Sequence, residues 1–371
     1  MIVKMDCGLL RASVHCFLGH TKYYRYNKST LSRTSSRSVC RLVMASSSNP
    51  HQHATSRVEI IAVGPHKCET IRLRPSNVND THINSKRIVI VPGNPGIVEY
   101  YEDFAAALWD RLEGEVDVVC LGLVGHAGRR GLFPKGKVWT MHDQVDHVRQ
   151  YLSEHCADVN SVQLVGHSIG AYFALEGLRK HPNLVQNVVG VYPYLTNNPQ
   201  SEEQRFCKFL VNNRVVVFIV AVLADLIGRV HLALRRFLLL GLTESFLMGP
   251  KAASLTAVAM TRYDAVQNMC HMGRTELDFL DQPPDWELLE AYAERVSFVF
   301  NKANDYWAPL WLKKDIEARL PMLNTYLDPE YDHMFCCSEQ GSKDIARLLG
   351  EVVLPAQQIN SLLLIPKPRS S

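Results

Sequence analysis

Strong charge bias is missing from this sequence: the formal net charge is +3. That excludes the basic footprint on which nucleic-acid binding depends, and no basic-aromatic platform replaces it. Paired cysteine motifs are missing as well. Ten cysteines are scattered over 371 residues without a C-x-x-C, and the close pair Cys336 and Cys337 suits neither a zinc knuckle nor a disulfide framework. A reduced compartment fits that usage. No secretory signal with a clear apolar centre and small-residue cleavage site is visible. Repeats and low-complexity tracts are absent too. What is present is apolar material: 47% of residues are hydrophobic and 21% charged, enough for a large packed core.

The first 44 residues stand apart. They hold eight Lys/Arg, six Ser and one acid, Asp6, before a second methionine at Met44. Basic, serine-rich and acid-poor is the composition of an organelle transit peptide. A disordered leader, or an upstream start on a protein that begins at Met44, is the favoured reading. Residues 1–57 are read as lying outside the fold.

From residue 58 the pattern turns strand-like. "VEIIAVG" and "CETIRLRP" read as a hairpin, and "KRIVIVPGNPG" as a strand buried on both faces ending in a Gly/Pro loop. Apolar strands then alternate with helical stretches: "YYEDFAAALWDRL", "VDVVCLGLVG", "HDQVDHVRQYLSEH", "SVQLVG", "IGAYFALEGLRKHP" and "VVGVYPYL". Such alternation predicts an α/β fold, a mostly parallel central sheet with helices on both faces. It breaks near residue 200 and resumes at "ERVSFVFN", then "LNTYLD" and a last helix, "SKDIARLLGEVV". The predicted organisation is therefore sheet core 58–200, a helical insertion 201–285, and the rest of the core 286–371.

"LVGHSIGAY" sets Ser168 between two glycines, after a strand and before a helix. A nucleophile elbow requires that context: the glycines remove side chains where strand and helix approach, and the turn lifts the hydroxyl above the sheet edge. A bare structural turn is the alternative, and partners in the order Ser, acid, His decide between them. Asp305 follows the strand "RVSFVFN", and His333 follows "NTYLD" in the last strand-to-helix loop. His333 would serve as base, with Asp305 holding its Nδ1–H. Asp328, Glu330 and Asp332 are rivals for the acid, but an acid so near the base in sequence seldom reaches its far nitrogen; they are expected to face solvent. His167 is expected to point away, and His126, His142 and His147 to lie at the surface or behind the site. Oxyanion donors are expected from the backbone of Ile169 and, between Pro92 and Pro95, of Asn94. Tyr100 and Tyr101 should line the mouth and contact substrate. "LGLVGHAGRRG" has Ala127 where a nucleophile would stand and reads as a pocket-edge loop. No metal or cofactor is called for.

Within the insertion, Val215 to Ala224 is an unbroken apolar run of ten, short of the roughly 18 residues a bilayer span needs. Asp225, Arg229, Arg235 and Arg236 then interrupt it. Residues 207–248 suit an anchor lying on a lipid-droplet monolayer or membrane surface, or a lid packed over the active site. The two are compatible.

With "GHSIG", "VPGNPG", "NDYWAP" and "DHMF" in order, residues 59 to about 350 resemble the lipid droplet-associated hydrolase family of the α/β-hydrolase superfamily. The resemblance implies a serine hydrolase of the droplet surface and endoplasmic reticulum with Ser168, Asp305 and His333 as its triad. It implies a neutral-lipid ester as substrate, of sterol-ester or acylglycerol type. The leader leaves a plastid or mitochondrial address open. The same triad could pass the acyl group to an alcohol, making a lipid acyltransferase. No H-x₄-D occurs to support the histidine-based acyltransferases, and an epoxide or haloalkane hydrolase would want Asp in place of Ser168. A catalytically silent droplet-coating or tethering protein is the non-enzymatic alternative.

Overall fold

β-Branched runs set the centre of the molecule. In the computed structural model, Ile88, Val89, Ile90 and Val91 of β3 (Lys86–Val91) are buried, as are Val118 to Leu121 of β4 (Asp117–Leu121). Strands apolar on both faces fit only the inside of a sheet covered on both sides. The structure describes residues 57–75, 86–245, 248–302, 305–328, 331 and 333–354. The leader expectation falls on residues 1–56, outside the described residues, as do Glu330 and Asp332.

Eight strands form one sheet in the order β1-β2-β4-β3-β5-β6-β7-β8. β1 (Val58–Val63) and β2 (His66–Leu73) are the predicted hairpin, and β2 joins β4 antiparallel. The remaining neighbours are all parallel, through β5 (Ser161–His167), β6 (Val185–Val191), β7 (Val296–Asn301) and β8 (Asn324–Asp328). The strand order reverses at β3, and there the carboxyl ends open a crevice suited to chemistry.

Helices cover both faces. α1 (Glu102–Arg111) packs with the last helix, Glu339–Leu348, while α2 (Met141–His155) packs with α3 (Ile169–Lys180). Thr140 starts α2 with a capping box: its hydroxyl accepts from the Asp143 N–H, and the Asp143 carboxylate accepts from the Thr140 N–H.

Between β6 and β7 the chain forms α4 (Glu202–Asn212), α5 (Arg214–Ile227), α6 (Leu232–Ser245), α7 (Pro250–Ala259), α8 (Tyr263–Phe279) and α9 (Trp286–Ala291). Two of these clamp onto the core. Thr256 of α7 bonds the Tyr100 hydroxyl at 2.8 Å, and Lys251 pairs with Glu102 and Asp103. Just before α8, the buried Arg262 donates to the carbonyls of Ala127, Gly128 and Arg129. α5 is different: Val215 is 66% exposed, with Phe218 and Ile219 also exposed, and only Ala221 is buried. Asn213 caps α5 and separates it from α4, so the pair bends by 85°. Among the described residues no single helix is long and apolar enough to cross a membrane; α4 and α5 together qualify only as a bent pair. After β7, α10 (Leu310–Arg319) leads to β8, and the last helix is α11.

Candidate active site

β5 runs into Ser168, whose φ of 56° and ψ of −126° lie where non-glycine residues rarely sit. The conformation is held from both sides: the Ser168 N–H donates to Val191 (3.0 Å), and its carbonyl accepts from Ala171 and Tyr194. Close approach explains the flanking glycines. A Cβ on Gly166 would stand 2.3 Å from the Gly170 carbonyl oxygen, and one on Gly170 would stand 2.2 Å from that of Val91. Neither has room for a methyl group.

His333 reaches this turn from the loop after β8. Its Nε2 lies 2.8 Å from Ser168 Oγ, and its Nδ1 is hydrogen-bonded to Asp305 Oδ2. A carboxylate only accepts, so Nδ1 carries the proton and Nε2 accepts from the serine hydroxyl. Asp305 is held in turn by the Trp307 N–H, which donates to Oδ1 at 2.8 Å. Both His333 and Asp305 are buried. The structure thus brings together the three side chains singled out in the sequence. Asp328 does not compete, since its carboxylate accepts from the Tyr192 hydroxyl and the Tyr331 N–H. It is also buried, which corrects the expectation that it faces solvent.

The loop after β3 arrives beside the serine: a Cβ on Gly93 would stand 2.9 Å from Ser168 Cβ. Ile169 is the first residue of α3, where an amide has no partner within the helix. Along the loop, the Gly93 N–H donates to the Tyr101 hydroxyl at 2.9 Å and the Gly96 N–H to His126 Nδ1 at 3.3 Å. The Asn94 amide lies between these two anchored positions.

His167, expected to point away, is part of the site. Tyr101 donates its hydroxyl proton to His167 Nδ1 (2.7 Å), and His167 Nε2–H donates to the His333 carbonyl (2.9 Å). With the Gly93 bond, one unbroken chain of hydrogen bonds links the β3 loop to the backbone of His333. Burial, with His333 nearby, holds the His167 pKa well below its usual range, so the ring is neutral as this chain requires. Nothing in the spacing of "GHSIG" reveals that role. His126 and His147 are buried in the core rather than at the surface. The Gly125–Gly128 loop does not border the space above Ser168.

That space is lined by Gly93, Asn94, Tyr194, Leu277, Trp307 and Met334, among others. Tyr100 and Tyr101 line it too, with their hydroxyls engaged by Thr256 and by the chain just described. Its volume is about 30 Å³, enough for one or two water molecules and too small for an acyl chain. Glu276 of α8 also borders it. Burial pushes that carboxyl up to about 8, opposed by the hydrogen bond from Asn94. Among the described residues no cluster of His, Cys, Asp and Glu is arranged to hold a metal.

Residues 84–336 match the family described as lipid-droplet associated hydrolase. The lipid droplet-associated hydrolase of Rattus norvegicus is 22% identical over 258 residues, covering 65% of this chain and 76% of that protein. That of Gallus gallus is 23% identical, covering 63% and 74%. Among solved structures, a carboxylesterase of Nitrososphaera gargenis superposes with a TM-score of 0.56 at 14% identity, over 81% of this chain and all of that one. A haloalkane dehalogenase of Agrobacterium tumefaciens gives 0.60 at 16% identity, over 81% and 97%. At such identities the structures show the fold alone, an α/β-hydrolase.

Proposed function

Because this chain belongs to the lipid droplet-associated hydrolase family, we propose that it is a serine hydrolase cleaving a carboxylic ester of a neutral lipid, of sterol-ester or acylglycerol type. The observation that carries this reading is the Ser168–His333–Asp305 arrangement, with 2.8 Å between Oγ and Nε2. As Ser168 Oγ attacks the acyl carbonyl, His333 Nε2 takes the hydroxyl proton and Asp305 stabilises the imidazolium. The N–H groups of Asn94 and Ile169 receive the developing oxyanion, Ile169 adding the positive end of the α3 dipole. Collapse of the tetrahedral intermediate sends the His333 proton to the leaving oxygen and releases the alcohol. A water then gives its proton to His333 as its oxygen attacks the acyl carbon. Collapse of that intermediate breaks the bond to Ser168 Oγ, returns the His333 proton to the serine and frees the acid. Serine at position 168 also distinguishes this chemistry from that of a dehalogenase, where Asp would stand.

It would bind a lipid surface through the exposed apolar side chains of α4–α6. Phe209, Val215, Phe218 and Phe237 are among them, and Arg205, Lys208 and Arg214 ring the bend at Asn213. Apolar side chains edged by cations match a lipid monolayer, whose polar heads meet the cations while the rings reach the acyl boundary.

The test is covalent labelling with a fluorophosphonate probe. Wild type is expected to label and Ser168→Ala to remain unlabelled at equal folded amount. Failure of folded wild type to label would favour the catalytically silent coating protein.

A further inference from the structure

Among the described residues, the hydrogen bonds of the Asn94 side chain run to the insertion. Its Nδ2 donates to the Met269 carbonyl at 3.0 Å and to Glu276 Oε1 at 3.2 Å, while its Oδ1 is buried without a partner among the described residues. The Met269 carbonyl can only accept, which fixes which end of the amide is the donor. Both acceptors sit on α8, some 180 residues downstream of the loop they hold.

Glu276 is an odd choice for packing. It is 5% exposed, and among the described residues no cation pairs with it. Burying a carboxyl without a counter-charge costs several kcal/mol unless a hydrogen bond repays it, and an apolar residue of similar volume would pack better. Its partner lies in the loop proposed to supply the oxyanion donor. The Gly93 and Gly96 amides of that loop are tied to the core by Tyr101 and His126, so the side chain of Asn94 is the remaining handle on the residue between them.

We infer that Glu276 is a positioning residue: through the Asn94 side chain it sets the Asn94 backbone amide beside Ser168, so the oxyanion hole is complete only while α8 is docked on the sheet. The inference rests on the serine-hydrolase reading. It makes the insertion part of the catalytic apparatus as well as a cover, since helix position and oxyanion stabilisation become one variable.

A double-mutant cycle on a water-soluble p-nitrophenyl ester tests it, with KM, kcat and thermal unfolding measured for each variant. Glu276→Leu and Asn94→Ala should each lower kcat about 10- to 100-fold with KM unchanged, by loosening one oxyanion donor. The double variant should be no more than about twofold worse than Asn94→Ala alone, because that substitution already removes the bond to Glu276 along with the one to Met269. Glu276→Gln keeps an acceptor for Nδ2 and should recover most of kcat. Multiplying effects, a loss confined to KM, or Glu276→Leu within twofold of wild type while folded would overturn the inference. If Glu276→Leu does not fold, Asn94→Ala decides alone, and kcat within twofold of wild type overturns it. Active-site titration of wild type with a fluorophosphonate separates these results from failure of the hydrolase reading, which would leave Ser168 unlabelled.

Discussion

At the scale of single residues, the chain Gly93–Tyr101–His167–His333 does more than fill space. It ties the loop beside Ser168 to the backbone of His333. Tyr101→Phe would leave the Gly93 N–H and His167 Nδ1 unpaired in a buried place. The expected loss is about 1–3 kcal/mol of stability, seen as a lower unfolding temperature, together with reduced kcat. The buried titratable groups predict the shape of the pH–stability curve. Burial holds His126 at about 3 and His147 at about 4, with a bond to the Gly122 carbonyl partly opposing the latter shift. The unfolded chain binds these protons first, so stability is lost as pH falls from about 6.5 toward 4. Glu276, raised to about 8, acts in the opposite sense: the folded state holds its proton longer, and stability is lost as pH rises from about 4.5 to 8. Unfolding temperature followed from pH 4 to 9 should therefore fall on both sides, and Glu276→Gln should flatten the alkaline side alone. An unchanged alkaline limb in that variant would contradict the assignment.

At the scale of elements, the strand–turn–helix unit of β5 and α3 stores strain to present its serine. The positive φ at Ser168 costs on the order of 1–3 kcal/mol, and the parallel pairing of β5 with β3 and β6 fixes the geometry against relaxation. Gly170→Ala forces a methyl group to 2.2 Å from the Val91 carbonyl, which backbone alone can relieve. That variant should be poorly soluble, or should unfold many degrees lower while losing fluorophosphonate labelling. Labelling at wild-type rate would show the contact to be softer than its geometry. The bend at Asn213 has a similar logic in reverse. An Asn side chain caps α5, and of the apolar run that follows Val215, Phe218 and Ile219 are left exposed while Val216, Val217 and Val220 pack against the core.

At the scale of the whole molecule, two regions divide the work. The sheet core and the clamps from α7 and α8 close the space above Ser168 to about 30 Å³, so a lipid chain is admitted only when some of its walls move. In the function proposed above, the exposed apolar side chains of α4–α6 would meet the lipid interface. Replacing Phe209, Phe218 and Phe237, each more than half exposed, by Ser should abolish binding to droplets or phospholipid vesicles. Turnover of a water-soluble ester should stay within about twofold, because none of the three borders the catalytic space. Vesicle flotation and the soluble-ester assay read the two effects separately. Binding that survives all three substitutions would locate the lipid contact elsewhere.

Much of this was legible in residue order. Apolar strand runs and their spacing determined the parallel sheet, because strands buried on both faces read as near-continuous apolar runs rich in Val, Ile and Leu. The elbow glycines and the order Ser168, Asp305, His333 were readable because each residue follows a strand end, and parallel strands all end on one edge. α10 is not legible in the sequence, since only Leu312 and Ile316 of its ten residues are buried and the pattern shows no apolar face. The hydrogen-bond partners of His167, Tyr101 and Glu276 were decided by tertiary structure alone. Hydrogen bonds between residues far apart in the chain depend on where helices and loops dock on the sheet, and no local period or propensity encodes that docking.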